Sequence, residues 1–147
     1  MKIALCFRGI ARSLKHTIET IRSHIIEPAH ELGEVRSFTH LFDQAEINDV
    51  RSGEVGELDR TEYLLLQSDE VQLEPPNECL ALHKFEEIKT YGDSFNNNFS
   101  SMRNLIHGLH SLKQGWVMAQ AWKPDIVLFL RPDLAYQSSF KDLLTEM

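Results

Sequence analysis

Residues 126–130, Ile-Val-Leu-Phe-Leu, form an unbroken apolar run that stops at Arg131-Pro132-Asp133. A run this short and uniformly apolar predicts a fully buried strand of the kind found inside parallel sheets. Pro132 has no N–H to give to a ladder, so the chain leaves the sheet there. Asp133 therefore stands at the C-terminal end of a strand, the edge where open α/β sheets hold their ligands.

The rest of the chain can be read against that strand. Lys2–Phe7 predicts a first buried strand, broken at Gly9. From Ser13, a candidate N-cap, Leu14, Ile18, Ile21, Ile25 and Ala29 recur at threes and fours and predict a helix. Pro28 is expected to kink or end it, and Gly33 to close it. Val35–Phe42 alternates as a second strand, and strand–helix–strand in this order predicts a parallel pair. Polar, acidic Asp43–Leu58 reads as a long loop, Arg60–Gln67 as a short helix and Val71–Leu73 as a short strand closed by Pro75-Pro76. Cys79–Ile88 reads as another helix and Phe95–Asn98 as a loop. Phe99, Met102, Leu105, Ile106, Leu109, Leu112, Trp116 and Val117 would share the apolar face of one long helix, stopped at Pro124. The sum is an α/β, Rossmann-like, mainly parallel open sheet flanked by helices, within a single domain over residues 1–147. The expected strand order is third, second, first, last.

Charge narrows the ligand. The net charge of −7 argues against nucleic acid or an anionic membrane as partner. Between Asp43 and Glu78 the only basic residues besides histidine are Arg51 and Arg60, whereas the N-terminal stretch carries Lys2, Arg8, Arg12, Lys15 and Arg22 against one acid, Glu19. A basic end on an acidic chain suits local binding of a phosphate-bearing ligand, and equally a solvated basic helix face. Cys6 and Cys79 offer neither a disulfide framework nor zinc spacing and fit a reducing, cytoplasmic setting. No apolar stretch has the length of a membrane span or a signal peptide's apolar region.

Chemistry concentrates at strand ends. In Phe7-Arg8-Gly9-Ile10-Ala11-Arg12-Ser13, Gly9 lets backbone approach a ligand, the following helix offers free N–H groups, and Arg8 and Arg12 can clamp phosphate oxygens. The alternative is a turn with two solvated arginines. Cys6 and Arg12 also stand in the Cys-x5-Arg spacing of low-molecular-weight tyrosine phosphatases, with Asp133 in place of the general acid. Only one glycine lies in that loop and bulky Phe7 and Arg8 follow the cysteine, so a buried strand residue is the favoured reading of Cys6. His40 and Asp43 end the second strand on the ligand side and are candidate base or ribose contacts. His107 and His110, at i, i+3, could share a metal but lack an evident third ligand. Trp116 and Trp122 read as helix packing.

Lys2–Gly9 with Arg12, Phe38-Thr39-His40-Leu41-Phe42-Asp43, the helix containing Ser111-Leu112-Lys113 and Leu130-Arg131-Pro132-Asp133-Leu134 together resemble nucleotide-sugar glycosyltransferases of the GT-A fold. The resemblance implies a partial GT-A fold and a nucleotide-diphosphate-sugar ligand whose sugar passes to an unknown acceptor. It places Asp133 at the last aspartate of an Asp-x-Asp-type motif, the position that holds Mn²⁺ or Mg²⁺, with Arg131 replacing the first. Arg8, Gly9 and Arg12 would line the diphosphate pocket, with Arg131, His40 and Asp43 as further donor contacts. Such enzymes continue well past this motif, whereas only a short tail follows Asp133 here. The resemblance thus implies a shortened member, an inactive nucleotide-binding or interaction domain, or a homo-oligomer in which a second subunit covers the missing edge. No residue stands out as a catalytic base.

Overall fold

The computed structural model describes residues 1–49 and 52–146. Strand β1 (Lys2–Gly9) lies inside the sheet, and Ile3–Phe7 are buried along its whole middle. It pairs in parallel with β2 (Glu34–Phe42) on one side and, on the other, with the Ile126–Leu130 strand, numbered β6. Parallel neighbours need a crossover. Helix α1 (Leu14–Ile21), a π turn at Arg22–Ile26 and helix α2 (Glu27–Leu32) carry the chain from β1 to β2. A further parallel strand, β5 (Glu70–Glu74), pairs with β2 and completes a four-stranded sheet of order β5-β2-β1-β6. That is the predicted Rossmann-like α/β arrangement, in the predicted order.

Alternation in β1 splits the core between two faces. Ile3, Leu5 and Phe7 meet Leu14, Ile18, Ile21, Ile25 and Ala29 of the crossover, with Phe140 of the helix α6 (Phe140–Thr145). Ala4 and Cys6 face Ala119 of the long helix α5 (Ser100–Gln120). A third cluster joins Phe42 to Cys79 and Leu80 of α3 (Glu78–Leu82) and Phe85 of α4 (Phe85–Lys89), with Phe99, Met102 and Ile106 against it.

Several local expectations are corrected. The Ile126–Leu130 strand is not fully buried: it is a sheet edge, and Phe129 is 40% exposed because α5 crosses β1 and β2 instead. On α5 the residues turned to the sheet are His110, Ser111, Gly115 and Ala119, while Leu105 and Leu109 are 60% and 59% exposed, with Trp116 and Val117 also at the surface. Over β1 the sheet presents the short side chains Ala4 and Cys6, and there the helix meets it through Gly115 and Ala119. Asp43–Leu58 contains an antiparallel hairpin of β3 (Glu46–Asp49) and β4 (Glu54–Glu57); Arg51 lies outside the described residues.

The helix expected from Ser13 does begin at Leu14, but Ser13 has φ 59° and its side chain makes no capping bond. Glu62, from a 3-10 turn at Glu62–Leu66, accepts instead from the Lys15 N–H at 2.7 Å, an acid placed on the positive end of the helix dipole. Pro28 does not end the helix. The preceding π turn sends the Glu27 N–H to the Arg22 carbonyl, a shift of register that accommodates a proline within a continuing helix. The Cys79–Ile88 helix is two, parted by Lys84 at φ 56°. Gly33 does close the crossover, where a Cβ would stand 2.2 Å from the Met1 carbonyl oxygen.

Candidate functional site

The sheet order reverses between β1 and β6, so their C-terminal ends form the topological switch point, the ligand side of open α/β sheets. Gly9 ends β1 at φ 104°, a left-handed value that an L side chain resists. Three residues later the Arg12 Nε donates to Asp133 Oδ2 at 3.3 Å and its Nη1 meets Glu54 Oε2 at 2.7 Å. Arg131 grips the same Asp133 in a fork, Nε to Oδ1 at 3.0 Å and Nη2 to Oδ2 at 2.7 Å. Thr17 pins the turn from α1 by donating to the Pro132 carbonyl at 2.6 Å. Burial alone would raise the Asp133 carboxyl, but Arg131, and then Arg12, outweigh it and hold the group below the ordinary aspartate value. Arg8, just before Gly9, keeps its buried Nε without a hydrogen-bond partner among the described residues.

Mn²⁺ or Mg²⁺ would need free carboxylate oxygens here. Both oxygens of Asp133 already accept from guanidiniums, and Glu54 neutralises Arg12. Two fixed positive groups occupy the space where a cation would bind. The residues present therefore do not fit a hard divalent ion.

A second cluster lies beside this one on the α5 face. His40 on β2, fully buried, points its Nε2 at Glu74 Oε1, 2.5 Å away at the end of β5. His110 on α5 brings its Nε2 to the same oxygen, also at 2.5 Å. The far nitrogen of each ring is held as well: His40 Nδ1 contacts Ser111 Oγ at 2.7 Å, and His110 Nδ1 contacts His83 Nε2 at 2.9 Å. Ser111 Oγ donates to the His40 carbonyl and accepts from the Gly9 N–H, each at 2.9 Å. Burial lowers the His40 pKa, and Glu74 only partly opposes it.

The expected donor contacts are thus divided. Arg12, Arg131 and Asp133 come together at the switch point, at the end of the strand that Gly9 closes, whereas the Arg8 side chain lies against α5, its Nη1 3.7 Å from where a Cβ on Gly108 would stand. His40 belongs to the histidine cluster and has no surface to offer a base or ribose. Asp43 lies at the mouth of a crevice lined also by Ile10, Ala11 and Tyr63, with its carboxylate held by Arg60 at 2.8 and 2.6 Å. Cys6 sits mid-strand, its thiol directed at the Gly115 carbonyl and pushed by burial up to about 12. A thiol in that state supplies no thiolate nucleophile. His107 contacts the Pro76 carbonyl, whereas its neighbour His110 joins the cluster. Sequence reasoning did not find Glu74 or His83. The one available signal was that Glu74 directly follows the third predicted strand, the neighbour of His40's strand.

No helix among the described residues is long and apolar enough to cross a membrane. No protein-family model, curated protein or solved structure matches this chain.

Proposed function

We propose that the chain binds a nucleotide-diphosphate sugar, in the manner of the GT-A glycosyltransferases it resembles, with the diphosphate held at the ends of β1 and β6. The observation that carries this reading is the meeting of Arg12 and Arg131 at the topological switch point beside the glycine-ended β1. Guanidinium forks suit phosphate oxygens, and Gly9 leaves room for them to approach backbone. Binding without turnover is the reading favoured, because Glu54 and Asp133, the acids that touch Arg12 and Arg131, are each ion-paired to an arginine. Two buried, free cysteines support a cytoplasmic setting.

Thermal unfolding with UDP-, GDP- and CMP-sugars, each with and without Mn²⁺, tests the proposal. A UDP- or GDP-sugar at hundredfold excess over its Kd should stabilise the fold by about 2.7 kcal/mol, several degrees in Tm. The monophosphate CMP-sugar should act more weakly, and Mn²⁺ should not be required. Arg12→Ala and Arg131→Ala should each weaken binding by about tenfold or more, as loss of a charged hydrogen bond does. No shift with any of these ligands at millimolar concentration overturns it.

A further inference from the structure

The His40–Glu74–His110 cluster is built from a strand interior, a strand end and a helix, and nothing proposed above uses it. The three side chains offer ligand atoms that all lie within 4.8 Å of one another. One carboxylate oxygen faces two imidazole nitrogens at 2.5 Å each. Ser111 directs its hydroxyl proton to the His40 carbonyl, so its Oγ receives the Nδ1–H of His40. The Nε2 of a neutral His40 then presents a lone pair to the Glu74 carboxylate. His110 stands the same way when its Nδ1 donates to His83 Nε2. Two nitrogen lone pairs and an anionic oxygen converge on one point, which calls for positive charge between them.

We propose that His40 Nε2, His110 Nε2 and a Glu74 carboxylate oxygen bind a divalent transition-metal ion, Zn²⁺ foremost. Two imidazoles and a carboxylate are a donor set that zinc accepts, and imidazole selects against Mg²⁺ and Ca²⁺. Zinc–ligand bonds of about 2.0–2.2 Å place tetrahedral neighbours about 3.3 Å apart. The Glu74 side chain is 20% exposed and reaches that spacing from each ring by withdrawing less than about 1 Å, while the two ring nitrogens, within 4.8 Å of each other, draw together onto the ion. The outer nitrogen of each ring already has a hydrogen-bond partner, Ser111 for His40 and His83 for His110, which fixes ring orientation as outer partners do at metal sites. Three protein ligands leave a coordination position for water or a ligand oxygen, and the exposed side of Glu74 gives access to it. The site owes nothing to Asp133 or to a sugar nucleotide, so either proposal can fail alone.

The test uses the full, tag-free chain stripped of metal and titrated with Zn²⁺ against a chromophoric chelator. One equivalent should bind and raise Tm. Glu74→Gln and His110→Ala should each weaken binding by about 100-fold or more, and His83→Ala, acting through His110, by about 10- to 100-fold. His107→Ala, adjacent on the helix but outside the donor set, should leave affinity unchanged. Co²⁺ titration of the wild-type chain covers the case in which a variant does not fold. Intense visible d–d bands of a low-coordinate nitrogen-ligated ion support the site, whereas the weak spectrum of the aqua ion overturns it. Equal affinity in wild type, Glu74→Gln and His110→Ala also overturns it.

Discussion

Asp133 shows how one residue's role depends on its neighbours' charge. Alone at a strand end, a carboxylate is a candidate cation ligand; between Arg12 and Arg131 it is the counter-ion that holds two guanidiniums in place. The sequence contained both approaches: Arg131 stands two residues away, and a strand order of third, second, first, last puts the ends of the first and last strands side by side, which brings Arg12 to Asp133 across 121 positions. The pair has a pH signature. The folded Asp133 carboxyl lies below the ordinary aspartate value, so the folded chain binds fewer protons than the unfolded one near that pH. Its contribution is whole above the unfolded value, about 3.9, and is lost as pH falls through the folded value. Asp133→Asn should therefore cost about 1–2 kcal/mol at pH 7, after allowing for the exposed side of Arg131. Urea unfolding of both proteins should show that gap narrowing below about pH 4. A gap independent of pH would mean that geometry rather than charge holds the turn.

At the scale of elements, α5 is the instructive case, because its amphipathic pattern named the wrong face over much of its length. Hydrophobic periodicity marks residues that can be buried. What is buried depends on the opposing surface, and β1 offers Ala4 and Cys6. A Cβ on Gly115 would come within 3.4 Å of the Cys6 Cβ, so the helix is already as close as its small residues allow. Gly115→Val should destabilise by about 1–3 kcal/mol through overpacking. Leu109→Lys, on the exposed face, should change stability by no more than about 0.5 kcal/mol, whereas a core leucine would cost about 2–5 kcal/mol on truncation. Equilibrium denaturation of the two variants compares the faces directly. A large loss from Leu109→Lys with a neutral Gly115→Val would restore the face read from periodicity.

For the whole molecule, sheet order was legible because each parallel pairing demands a crossover and the apolar runs number the strands. The β3–β4 hairpin was not, since half of its strand residues are charged and only Ile47 among them is buried; no period-two apolar signal exists to read. The histidine cluster escaped for a different reason: residues 40, 74, 83 and 110 come from separate elements and meet only when β2, β5, α3 and α5 are assembled. Both omissions bear on how stability is distributed. β1 has a strand on each side and a core on each face, so its amides open only when the sheet does. The hairpin strands form a separate two-stranded sheet, a unit marginal on its own in water. Ile47 anchors it, and Arg12 holds Glu54 at 2.7 Å. Opening it therefore gives up far less buried apolar surface than opening β1 does. Hydrogen exchange should find Leu5, Cys6 and Phe7 at the protection set by global unfolding, and the amides paired within Glu46–Asp49 and Glu54–Glu57 about a thousandfold or more below it. Arg12→Ala should lower hairpin protection further and leave β1 in step with global stability. Equal protection in hairpin and β1 would show instead that the hairpin unfolds with the sheet.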